Sequence, residues 1–183
     1  MAAAFLSEPA APSFDDPLGM LSACHGRIER HLGTLERLQR HLPEHGADLD
    51  ARAAARGILR YFDIAAPHHH ADEERSLFPR LRRARPNDAP PLLAALEQEH
   101  ESLAAKWRRL RPLLTGIAAG NRANLSARDV AEIRSAYLAH IAHEERELIP
   151  FAAATLDATA LAEIGAEMAA RRGVDPDKPK LAA

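Results

Sequence analysis

Cys24 is the only cysteine among 183 residues. An intrachain disulfide is thereby excluded, and so is a zinc site built on cysteine. A lone thiol fits a reducing, cytoplasmic setting. Aromatic residues make up only 4% of the chain and glycine is sparse. Alanine and leucine carry the apolar content, which disfavours a sheet and favours helices. Excess charge is missing too: the formal net charge is −2. No nucleic-acid partner is expected from such a balance. The short basic run Arg82, Arg83 and Arg85 reads as a solvated helix end. No apolar stretch approaches the roughly 18 residues of a membrane helix. The first residues lack a basic segment and contain Pro9, Pro12, Asp15 and Asp16. They read as a flexible leader over 1–16 and not as a signal peptide.

What remains is helical periodicity. Asp16 and Pro17 mark the start of a first helix that runs to about Leu42, before Pro43 and Gly46. A second helix starts near Asp48 or Asp50 and reaches about Ala84. Its apolar stripe is Leu59, Phe62, Ala66, His69, Glu73 and Leu77, with Pro67 loosening it. A third follows Asn87 or Asp88 and weakens between Pro112 and Gly116. Ser126 and Asp129 open a fourth, whose stripe is Ile133, Tyr137, His140, Glu144, Leu148 and Phe151. A short fifth helix spans Asp157 to about Arg172. The fold expected is all-α: an antiparallel up-down four-helix bundle over 17–155, a short C-terminal helix over 156–173 and a flexible tail over 174–183.

The halves are related. His69-His70-Ala71-Asp72-Glu73-Glu74-Arg75 through Pro79 matches His140-Ile141-Ala142-His143-Glu144-Glu145-Arg146 through Pro150, and Leu21-x-x-x-His25 matches Leu96-x-x-x-His100. A helix pair therefore occurs twice, about a pseudo-twofold axis. His25, His69, Glu73, His100, His140 and Glu144 all fall on stripes that face the core. Burying one such polar group unpaired costs about 1–3 kcal/mol. Six of them rival a typical domain stability of about 5–15 kcal/mol. A cation compensates them most simply. Residues four apart share a helix face, so each His-x-x-x-Glu can aim a nitrogen and a carboxylate at one point. Four imidazoles and two bridging carboxylates suit two metal ions with a bridging oxide or hydroxide. The mixed donors favour Fe, with Mn or Zn as the lesser fits.

The order His, His-x-x-x-Glu, His, His-x-x-x-Glu resembles the hemerythrin-like, or HHE cation-binding, family over roughly residues 17–155. Glu-Glu-Arg-Ser-Leu-Phe-Pro and Gln-Glu-His-Glu-Ser-Leu are also family-like. The resemblance implies two non-heme irons, oxo- or hydroxo-bridged. By it, His25 and His69 serve one iron and His100 and His140 the other, with Glu73 and Glu144 as bridges. Oxygen carriers of the family have a fifth histidine where this chain has Leu96. The resulting four-His, two-Glu set more closely resembles the di-iron domain of iron–sulfur repair proteins, but their N-terminal cysteine-bearing segment is absent. His70, His143 or water would have to fill the gap at Leu96. The function implied is binding of, or reaction with, a small diatomic ligand (O₂ or NO) or peroxide, in sensing or stress response. A di-iron redox enzyme and an iron-holding protein are the alternatives. The electron-transfer partner is open.

Other polar residues have plainer readings. His70 with Glu74, and His143 with Glu145, are competing registers. In the register chosen, Glu74 takes no part in the site. His68, His31, His41 and His45 belong to the surface. Tyr137 and Trp107 read as packing, and Cys24 as a small buried thiol.

Overall fold

The structure, a computed structural model, describes residues 13–121 and 124–174. The leader expected over 1–16 falls mostly outside them, as does nearly all of the expected tail. The described chain is all-helical and forms a packed bundle of five helices, with no strand among these residues. Helix α1 is Pro17–His45. Helix α2 runs over 49–84 as one continuous rod of α- and π-helical segments. Helix α3 is Ala89–Ala118. Helix α4 covers 127–155, and α5 is Ala158–Arg171. The first four helices pack consecutively against each other, and α4 closes the bundle against α1.

Local chemistry fixes the ends. Asp16 caps α1 by accepting from the Gly19 N–H at 2.9 Å, and Asp48 caps α2 through the Ala51 N–H at 2.8 Å. Ser126 and Asp157 do the same for α4 and α5. Gly46 takes φ 65° to turn the chain out of α1. Two expected ends move. Helix α1 passes through Pro43 to His45, and α3 passes through Pro112 to Ala118. Both prolines are exposed, so a carbonyl left without its intrahelical donor can be hydrated.

The other prolines reshape the helices. Tyr61–Ala65, Glu73–Leu77 and Glu144–Leu148 are π-helical turns, each ending two residues before a proline: Pro67, Pro79 and Pro150. A widened turn moves the preceding carbonyls off the proline ring, so the helix continues instead of breaking. Two of these turns begin on Glu73 and Glu144. The buried face departs from the expected stripe at two places. Ile58, not Leu59, is buried ahead of Phe62, and Ala152, not Phe151, is buried after Leu148.

The apolar interior comes in two parts. One contains Ile28, Leu32, Ala66, Leu103, Trp107 and Tyr137. The other contains Leu21, Leu77, Phe78, Leu96, Leu148 and Met168. Between them lies a waist of buried polar residues. It falls where α1 passes from Leu21 to Ile28, α2 from Ala66 to Leu77, α3 from Leu96 to Leu103, and α4 from Tyr137 to Leu148. Helix α5 lies across α1 and the middle of α2. There the buried Asp72 carboxylate bonds Arg171 and Arg172, the latter at 2.6 Å, and Arg171 reaches the Ser76 hydroxyl at 3.0 Å. No helix among the described residues is long and apolar enough to cross a membrane.

Candidate metal centre

The six residues singled out from the sequence all lie in this waist. Each is at most 4% exposed, and Glu73 and Glu144 are fully buried. They come from four helices: His25 from α1, His69 and Glu73 from α2, His100 from α3, His140 and Glu144 from α4. A seventh residue joins them. The donor atoms form two groups, one from His25, His69, Glu73 and Glu144, the other from His70, His100 and His140. Within each, the atoms lie within 4.8 Å of one another.

The carboxylates link the groups. Glu73 places Oε1 3.5 Å from His69 Nε2 and Oε2 3.2 Å from His100 Nε2. Glu144 places Oε2 2.9 Å from His25 Nε2 and Oε1 3.1 Å from His140 Nε2. None of these approaches has hydrogen-bonding geometry. The Nε2 atoms of His25, His69, His70, His100 and His140, and both oxygens of Glu73 and Glu144, are buried without a hydrogen-bond partner. Such a cluster is unstable unless something with positive charge and vacant orbitals accepts the lone pairs. The residues present therefore fit a metal pair, and their donor set is nitrogen and oxygen throughout.

From the sequence, His70 is both a competing register with Glu74 and one candidate for the place left by Leu96. It belongs with His69 and not in its place. Adjacent residues on a helix diverge by about 100°, yet both rings face the waist. The His70 ring stacks on His100 at 4.0 Å between centroids, and His69 meets His25 edge-on at 4.9 Å. The one available signal was Leu96, which leaves a vacancy beside His100 for an imidazole from α2. His143 stays outside both groups; its Nδ1 bonds Glu99 at 2.8 Å.

Electrostatics follows the geometry. Burial works to raise the Glu144 carboxyl, but His100, His140, His25 and His69 hold it well below the usual carboxylate range. His70 is pushed well below its ordinary value by burial, reinforced by His100, His69 and His140. It therefore presents a neutral ring at pH 7. His100 moves the other way: burial opposes protonation, but Glu144, Glu73 and Glu74 bring it up to about 11.

Glu74 is not idle. It sits 2.7 Å from His100 Nδ1, and the expectation that it stands apart from the site is corrected. The packing readings of Trp107 and Tyr137 hold, whereas His31, expected at the surface, is half-buried. Trp107 packs on Phe62 and donates to Asp63 at 3.0 Å, and Tyr137 packs on Phe62. His31 stacks on Tyr61, and His41 pairs with Asp48. Beside the waist, a surface depression of about 410 Å³ is lined by Glu99, Ser102, His140, His143 and Arg146, among others.

Fold and site together define a helical-bundle cation-binding protein with a buried His/Glu centre. Residues 16–152 match the hemerythrin HHE cation-binding domain, and the chain belongs to that family. It is also 33% identical over 162 residues to an uncharacterized protein of Haemophilus influenzae, covering 88% of this chain and 93% of that protein.

Proposed function

We propose that the waist holds two iron ions and that the protein binds, or reacts with, O₂, NO or peroxide there. The observation that carries this reading is the convergence of buried donor atoms with no hydrogen-bond partner into two groups joined by two carboxylates. His25 and His69 would hold one ion, His70, His100 and His140 the other, and Glu73 and Glu144 would bridge. Imidazole with bridging carboxylate favours iron over zinc or manganese. A reduced iron pair supplies the electrons for small-ligand chemistry. The residues supply asymmetry. Counting both bridges, one position has four protein donors and the other five, so an exogenous ligand is taken on the His25–His69 side. The surrounding apolar halves exclude water and keep the site dry.

His70 changes the reading of the gap at Leu96. With it, the set has five imidazoles, which removes the reason to liken the chain to the four-histidine iron–sulfur repair domains. One side is filled, which favours reversible binding over turnover. Metal analysis should find about two irons per chain. Stopped-flow mixing of the reduced protein with O₂, NO or peroxide should give an adduct that reverses when the ligand is removed. Zinc alone, or no metal after iron-replete expression, would defeat the reading.

A further inference from the structure

Every donor ring has a second nitrogen, and its partner decides which tautomer and which orientation the ring keeps. His25 Nδ1 lies 2.5 Å from Glu145 Oε1, His100 Nδ1 2.7 Å from Glu74 Oε1, and His140 Nδ1 2.7 Å from Glu99 Oε2. Each carboxylate reaches across from a neighbouring helix. All three are partly exposed, so their outer sides stay hydrated while one oxygen faces the ring. Glu99 uses its other oxygen to hold His143.

The internal repeat explains the arrangement. Glu74 on α2 facing His100 on α3 is the counterpart of Glu145 on α4 facing His25 on α1: one contact, made twice. The same relation maps His140 onto His69. It maps Glu99, which precedes His100, onto Cys24, which precedes His25. At that fourth place no carboxylate reaches His69 Nδ1. The residue at that place, Cys24, is buried and receives Arg27 Nη2 at 3.0 Å, with no hydrogen bond to the His69 ring.

We infer that Glu74, Glu99 and Glu145 form an outer set of positioning residues for the metal centre, at three of four places related by the repeat. It rests on the assignment of the inner histidines as metal ligands. Each carboxylate accepts the Nδ1–H of its ring, so Nε2 keeps its lone pair aimed inward. Of the four rings related by the repeat, His69 is the one whose Nδ1 has no outer partner, and it lies on the side with fewer donors.

The test uses the full chain with Fe²⁺, Co²⁺ and Zn²⁺ as probes. Glu74→Ala, Glu99→Ala and Glu145→Ala should each lower Fe²⁺ affinity about 10–100-fold in chelator competition. Each should also shift the visible Co²⁺ bands, which report ligand geometry. Glu99→Gln keeps an acceptor and should recover part of both effects. In the Zn²⁺-loaded protein, slowly exchanging Nδ1–H resonances of His25, His100 and His140 should be visible by NMR, each lost in its own variant. A purely architectural role would lower melting temperature and leave the Co²⁺ bands and these resonances alone. Wild-type protein that binds two ions while the carboxylate variants match it would overturn this inference alone. Wild-type protein that binds none of the probe metals would overturn the metal assignment and this inference with it.

Discussion

Asp72→Ala tests how α5 is fixed to α2, the helix that carries His69, His70 and Glu73. The Asp72 side chain is fully buried, one residue before Glu73, and both its oxygens are engaged by Arg171 and Arg172. Breaking a buried ion pair from one side costs about 3–5 kcal/mol when the remaining charge stays buried. Here the arginines are 18% and 22% exposed and can swing into water, so the lower end applies, about 3 kcal/mol. For a chain of this size each kcal/mol moves the melting temperature by about 2–4 °C. The expected fall is about 6–12 °C, read by circular dichroism at pH 7. Arg171→Ala with Arg172→Ala should cost a similar amount. Adding Asp72→Ala to that pair should cost little more, because the interaction is already lost. A fall under about 2 °C for Asp72→Ala, or full additivity with the arginine changes, would refute the latch.

Three further outcomes follow from the same structure. Glu144→Ala and Glu73→Ala should each release metal, because each carboxylate faces a histidine of both groups; retention of about two ions by elemental analysis would contradict the bridging geometry. In α5, a Cβ on Gly165 would stand 1.9 Å from the Phe14 carbonyl oxygen, so Gly165→Ala should destabilise the chain by about 1–3 kcal/mol despite alanine's better helix propensity, checked by urea melts. Burial works to raise the Asp63 carboxyl, but Arg111 and Trp107 hold it below its ordinary value of 3.8. Its contribution is therefore present above that value and lost as pH falls through the lower folded one. The stability gap between wild type and Asp63→Asn should be level near neutrality and close in acid, as pH-dependent denaturation curves would show.

Much of the site was legible because its residues break a rule. Histidines and glutamates on apolar stripes demand an explanation, and the repeat chose His69 and Glu73 from a crowded stretch. His70 was harder to see, since a helix was assumed to hold a constant 100° step and to show one of two adjacent residues to the core. His69 and His70 both lie in the α-helical stretch Ala66–Asp72, and Leu96 leaves room for the second ring beside His100. The π-helical turns were hidden as well, though their mark was in the spacing: buried positions 69, 73, 77 and 81, and again 140, 144, 148 and 152, advance by four each time. In an α-helix such a run drifts by about 40° per step, whereas a wider turn absorbs the drift. Phe151 was misplaced for that reason. The outer carboxylates were harder to place for another: Glu74 and Glu145 stood only as competing registers, exposed glutamates are ordinary, and only the neighbouring helix makes Glu74, Glu99 and Glu145 partners of a ring.

The division of the interior into two apolar parts has a consequence for cooperativity. Residues of the two halves meet chiefly through the polar waist, so ions bound there would act as the rivet between two small hydrophobic units. Neither unit is large enough to be robust by itself. Loading the centre should merge them into one unfolding unit, and stripping it should let the end near Leu38 and Ile117 exchange its amides independently of the end near Leu93 and Met168. Metal occupancy would then be readable at both ends of the bundle, well away from the ions.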